Sequence, residues 1–320
     1  MKLLNKIATL ALLAASVTAS AQNYPSKPGR LIIATAPGSA SDVIGRALAE
    51  HLTKTFGQSF VVENRAGGSG NIGMNAAAKA AADGHTLIFG SLGVSIFNQF
   101  LFASLEFDPE KDFTDIGFIA VLPNVVLVNP SFPAKNMQEL LALARAKPGT
   151  INVALDSTAT RVTLALLNHA AKVNLFAVAY NGPALAVADI IGGRVPVMIN
   201  SLGAARPLVD GGKLRAIAVT TQNATDLLPG IPSVSEQGVT GFGEVAGWVG
   251  LNGPRGLPRD VATLLNTELN KFLTLPETKT RFRTLGFIPR PSTPQEYSNF
   301  MVAERLRFGP LIKAAGIKAE

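Results

Sequence analysis

The 320-residue chain contains no cysteine. That absence removes disulfides, thiolate metal sites, cysteine nucleophiles and lipid attachment through an N-terminal cysteine. Histidine is scarce: His51, His85 and His169 stand alone in sequence. No H-E-x-x-H pair, EF-hand loop or G-x-S-x-G elbow accompanies them. Sequence order does not forbid a triad assembled from distant residues. Yet His51 falls in a helical stretch and His85 in an Asp-Gly-His turn before a strand, so no catalytic group is expected. Past the N-terminus no segment approaches the ~20 apolar residues that span a bilayer. No dense Lys/Arg stripe alternates with aromatics, which makes nucleic-acid binding a poor reading.

What is present is an ordinary folding composition, 47% hydrophobic and 16% charged, long enough for two domains with cores of their own. The start, "MKLLNKIATLALLAASVTASAQ", has a basic Lys2 and Lys6, an apolar run from Ile7 to Val17, and Ala19-Ser20-Ala21 as a small-x-small cleavage site. This is the layout of a secretory signal peptide over 1–21, and it implies a mature chain beginning near Gln22 in a Gram-negative periplasm. Removing Lys2 and Lys6 takes the formal charge from +7 to +5, a mild balance that suits an anionic small ligand.

Short apolar runs then alternate with helical periods. "RLIIA" reads as a strand, "SDVIGRALAEHLTKTF" as a helix with Val43, Ala47, Leu48 and Leu52 on one face, "SFVVEN" as a strand, "NAAAKAAA" as a helix and "HTLIFG" as a third strand. The alternation restarts after Pro123 with "NVVLVNP". Asn136 and Glu139 cap the next helix, and Pro148-Gly149 stops it. Strand–helix–strand units of this size call for α/β lobes built on parallel sheets. Two such lobes without a flexible tether would face each other across a cleft at the carboxyl ends of their strands.

One stretch bears on chemistry: "VVENRAGGSGNIGMNAAAKAAA" contains a formal G-x-G-x-x-G at Gly68, Gly70 and Gly73. It follows the second strand, lacks the acid expected about 20 residues later, and is not followed by Lys-Ser/Thr, so nucleotide binding is excluded. No cofactor or metal is implied. What remains is backbone N–H groups that approach an anion closely, with a helix N-terminus behind them. "APGSASD" (Ala36–Asp42) offers a second such turn. Two loops at neighbouring strand ends could clasp one carboxylate, or both could be tight capped turns.

At these residues the sequence also resembles a known family. "YPSKPGRLIIATAPGSASD", "VVENRAGGSGNIG", "AADGHTLIFG", "FDPEKDFTDIGFIA", "GGKLRAIAVTT", "LPGIPSVSEQG" and "AAGIKAE" occur in order from Tyr24 to Glu320. Together they resemble the Bug receptor family, the TctC-like solute-binding components of tripartite tricarboxylate transport systems. The resemblance implies a periplasmic binding fold of type II: two α/β lobes joined by two crossovers, closing on a ligand. It implies residues 22–124 with 222–320 for the first domain and 125–221 for the second. It further implies a monomer that captures a small carboxylate and passes it to membrane transporter subunits. A sensor subunit for a membrane signalling protein is the alternative, and a periplasmic enzyme of the same shape a weaker one. The family's carboxylate loops match Thr35, Pro37, Gly38, Ser39 and Asp42, and Gly67, Gly68, Ser69, Gly70 and Asn71; Ser91, just past the third strand, joins them.

Departures from the family bear on specificity. Ala34-Thr35 stands for a common Pro-Phe, which widens the pocket or makes it more polar, and Gly38-Ser39 for Gly-Gly. "DSTATRVT" puts Thr160 and Arg161 in the first turn of a helix facing the cleft. Arg161 either pairs bidentately with a second ligand carboxylate or points to solvent or to Asp156. Asn200 stands where relatives often carry an aspartate, which disfavours an amino-acid ligand. Tyr180 lines the cleft or packs as a domain-edge aromatic. A dicarboxylate or aromatic carboxylate fits this set.

Overall fold

The computed structural model describes residues 24–180 and 182–317; the expected signal peptide and Asn181 lie outside the described residues. Apolar, β-branched runs form two sheets. The first contains β1 (Gly29–Ile33), β2 (Phe60–Asn64), β3 (Thr86–Ser91), β4 (Phe113–Leu122), β10 (Gly247–Pro254) and β11 (Ile288–Pro289), in the order β11-β4-β10-β3-β1-β2. The second holds β5 (Asn124–Val128), β6 (Asn152–Leu155), β7 (Phe176–Ala179), β8 (Val197–Ser201) and β9 (Arg215–Val219), in the order β7-β6-β8-β5-β9.

Both sheets are mixed, where the alternation of elements predicts parallel ones. β1, β2 and β3 are mutually parallel, as are β6, β7 and β8, but β10 is antiparallel to β3 and β4, and β5 to β8 and β9. The cause is where the chain changes lobe. β4 ends at Leu122 and β5 starts at Asn124, so Pro123 alone makes the first crossover. The first strand after each crossover starts at the edge the parallel strands run toward, and it must therefore run away from it. The ten-residue β4 was not anticipated from the sequence; its first residues, Phe113-Thr-Asp, look like loop, yet it lies central between β10 and β11.

Helices cover both faces. α1 (Ala40–Phe56) and α8 (Arg259–Thr274) bury Ile44, Leu48, Leu265 and Leu269 against Ile33, Phe89 and Leu251. Leu48 is fully covered, and its truncation to alanine costs ~2–5 kcal/mol. α2 (Asn71–Ala78) and α9 (Pro294–Ala314) lie on the opposite face. α2 begins four residues earlier than the alanine run suggests, directly off Gly70, and Lys79 closes it. In the second lobe α4 (Met137–Ala146) and α5 (Thr158–Ala171) pack on one face, and α6 (Pro183–Ile191) and α7 (Leu202–Asp210) on the other. Asn136 caps α4 as expected, accepting from Glu139 N–H at 2.9 Å.

Candidate ligand-binding cleft

The register places the strand ends beside the crossover. Ser91 stands opposite Val249, itself opposite Ala120, three residues before Pro123. Asn200 stands opposite Val125, two residues after it. The loops following β1, β2, β3 and β6 therefore line the space between the lobes, as open α/β sheets dictate.

The loop after β1 is braced by Asp42. Its buried carboxylate accepts from Gly38 N–H at 2.9 Å, from Arg46 Nε at 3.1 Å and from Asn64 Nδ2 at 3.0 Å. Burial alone would raise this carboxyl. The hydrogen bonds from Gly38, Arg46 and Asn64 and the Arg46 charge outweigh burial and hold it below the ordinary carboxylate range. Asn64 also donates to the Thr35 carbonyl. Ser39 caps α1, accepting from Asp42 N–H, and its hydroxyl lies 2.7 Å from that of Thr35. Pro37 and Gly38 sit exposed at the tip. Asp42 thus shapes the loop, and Thr35 and Ser39 present a hydroxyl pair.

The loop after β2 runs through four consecutive residues in the left-handed region, Gly67 (φ 111°), Gly68 (54°), Ser69 (55°) and Gly70 (90°). Only glycine adopts such a run cheaply, and Ser69 is held there by its setting. A single 3₁₀ turn, Gly68–Gly70, delivers the chain into α2. Gly70 N–H is spent on Gly67 O at 2.9 Å. A side-chain carbon on Gly70 would stand 2.4 Å from Val94 and 3.2 Å from the Ala34 carbonyl; one on Gly73 would stand 3.0 Å from Ala34 Cβ. The start of α2 therefore presses onto the end of β1, and the N-termini of α1 and α2 converge. The first N–H groups of each have no intrahelical acceptor, so the donors left for an anion lie at the helix starts rather than at Gly38 and Gly70.

A third wall was invisible in the sequence. After Ser91 the chain forms a fully buried π-helix, Leu92–Phe97, and then a short helix, α3 (Asn98–Leu101). Such helices are rare and often mark functional sites. Asn98, with no exposure, donates to Ser69 O at 3.0 Å and to Asn71 Oδ1 at 2.7 Å, locking the glycine loop. Arg46, one helical turn past Asp42, was readable from its i,i+4 spacing; Asn64 and Asn98 act over long range and had no local signal.

In the second lobe, Ser157 and Thr160 form a reciprocal capping box at the start of α5. Thr158 Cβ lies 3.9 Å from where a side chain on Gly93 would begin, so this helix start faces the π-helix across the cleft. Thr160 is buried by that cap; Arg161 is half-buried, and among the described residues its side chain makes no ion pair or hydrogen bond, with Asp156 or otherwise. Asn200 is buried, its Oδ1 accepting from Ser201 N–H at 2.7 Å and its Nδ2 near only the Met198 sulfur at 4.0 Å. Tyr180 packs at the lobe edge and donates its hydroxyl to Asp189 at 2.7 Å, a carboxylate also bound by Arg194 Nε at 2.8 Å. The three histidines stay apart, His51 by Glu268, His85 by Asp83, and His169 exposed. Among the described residues no helix is long and apolar enough to cross a membrane.

Residues 44–317 match the tripartite tricarboxylate transporter family receptor, TctC. BugT of Bordetella pertussis is 30% identical over 304 residues, covering 93% of this chain and 92% of that protein. An R. palustris protein solved with adipate superposes with a TM-score of 0.87 at 33% identity, covering 92% of this chain and 99% of that one. MatC from Rhodopseudomonas palustris with bound malate gives 0.83 at 29% identity, covering 90% and 100%. The chain belongs to the tripartite tricarboxylate transporter receptor family, a family of periplasmic solute-binding proteins.

Proposed function

We propose that this protein captures a small dicarboxylate or aromatic carboxylate by closing its two lobes, and delivers it to a membrane transporter of the tripartite type. One carboxylate rests on the converging starts of α1 and α2, with the Thr35–Ser39 hydroxyl pair beside it. The far end reaches Arg161 and Asn200. The lobes correspond to residues 22–124 with 222–320 and to 125–221, and the chain works as a periplasmic monomer after its leader is removed near Ala21. Closure is driven by the ligand's higher affinity for the closed state.

The observation that carries this reading is the convergence itself: four left-handed residues at Gly67–Gly70 bring a second helix N-terminus onto the end of β1. Paired helix starts favour an anion without a resident cation. Adipate and malate in the related structures support a carboxylate. A thermal-shift screen of mature protein against mono- and dicarboxylates tests it. A ligand at 100 times its dissociation constant adds ~2.7 kcal/mol and raises Tm by a few degrees. Absence of any shift from folded, ligand-free protein would contradict the reading.

A further inference from the structure

Asp156 directly follows β6 and precedes the capping box of α5. Leu155, its neighbour, pairs with Ile199 of β8, whose carboxyl end reaches the crossover. Three residues on, Ala159 N lies 4.0 Å from where a side chain on Gly93 would begin. Asp156 therefore sits at the junction of the two lobes, on the side assigned to the ligand's far end. Its side-chain contacts are hydroxyls: Thr160 donates to Oδ1 at 3.3 Å, and Ser157 adjoins it.

Among the described residues no cation is bonded to it. The π-helix "LGVSIF", the glycine loop "AGGSGNIG" and strands β6 and β8 carry no titratable side chain. On the surrounding elements the charged or titratable groups are few. Arg161 lies in the first turns of α5, five residues on, with no bond to Asp156 among the described residues. Tyr180 has its hydroxyl on Asp189, and Arg206 of α7 is turned to Asp210 and the Leu227 carbonyl. Burial raises the Asp156 carboxyl above the ordinary carboxylate range, and bonds from its own backbone, Thr160 and Ser157 only partly offset this.

A carboxylate placed this way repels a second ligand carboxylate unless it is protonated, and a carboxyl group is then a hydrogen-bond donor. We propose that Asp156 reads the ligand's far end in its neutral form: as the lobes close it takes one proton from solvent and donates it in a hydrogen bond to the second carboxylate, with Arg161 supplying the compensating charge. Capture of a dicarboxylate is thereby linked to uptake of one proton, whereas a monocarboxylate takes up none. This rests on the carboxylate-capture reading above.

Calorimetric titration of mature protein with succinate and adipate, in two buffers of different protonation enthalpy, counts the protons directly; butyrate and hexanoate are the monoacid controls. The expected count is about one proton per dicarboxylate, with affinity falling by up to about tenfold per pH unit above neutrality. Asp156→Asn, a permanent donor of the same shape, should still bind dicarboxylates but lose both the proton count and the pH slope. No uptake by the wild-type protein on dicarboxylate binding would overturn the proposal. So would an Asp156→Asn variant that loses affinity only for amine-bearing carboxylates, since the carboxylate would then be acting ionised. Failure of every acid to bind folded protein would instead refute the capture reading, and this inference with it.

Discussion

Thr220 donates its backbone N–H to the carbonyl of Asn124 at 2.9 Å, tying the end of β9 to the residue that follows the first crossover. Its carbonyl also accepts from Val245 N–H at 2.9 Å, and its hydroxyl donates to Val245 O at 2.9 Å, in the segment that leads from β9 into β10. One fully buried residue thus ties together the two segments that run between the sheets, through its backbone to Asn124 and through backbone and hydroxyl to Val245. Thr220→Val keeps the shape but leaves the Val245 carbonyl short of a donor, at a cost of ~1–3 kcal/mol. Thermal denaturation should show a Tm lowered by several degrees.

The braced Asp42 predicts a pH signature. Its folded carboxyl titrates below its unfolded value, so its stabilisation is fully present above about pH 4. That contribution fades as pH falls through the folded value. Asp42→Asn should cost ~1–3 kcal/mol near neutrality and progressively less in acid. Denaturant melts of both proteins across acidic pH check this; a difference independent of pH would contradict it.

Two glycines in the loops after β1 and β2 should respond differently to alanine. Gly70 combines φ 90° with a Val94 methyl 2.4 Å from the new carbon, whereas Gly38, at φ 79°, has nothing within 4 Å. Gly38→Ala should cost only about 1 kcal/mol of left-handed strain. Gly70→Ala should add a clash and cost ~2–4 kcal/mol in all. Because Gly70 sets the approach of α2 to β1, its variant should also lose ligand-induced stabilisation, which the Gly38 variant retains.

Arg161 has no side-chain partner among the described residues. Arg161→Ala should weaken dicarboxylate binding about tenfold to a hundredfold, the worth of a charged hydrogen bond. Monocarboxylate binding should be left nearly unchanged. Calorimetry with both classes separates this from a general loss of fold.

Most helices, most strands and both glycine-rich turns were legible because each rests on local chemistry: apolar period, the cap at Asn136, and glycines where φ is positive. Strand direction was not, because β5 and β10 are reversed by where the crossovers fall, a property of topology. β4 was missed since Phe113-Thr-Asp gives no strand signal before the apolar Ile116–Leu122. The donors that fix the site, Asn64 to Asp42 and Asn98 to Ser69, join residues 22 and 29 positions apart. No window along the chain contains them.

The central claim is that backbone N–H groups at two helix starts hold one carboxylate. Amide-resolved NMR of the mature protein during titration with adipate tests it most directly. The largest shifts should fall on Ala40 and Ser41 of α1 and on Ile72 and Gly73 of α2, and should recur with any monocarboxylate that binds. Saturable binding that leaves those four amides in place would contradict the account.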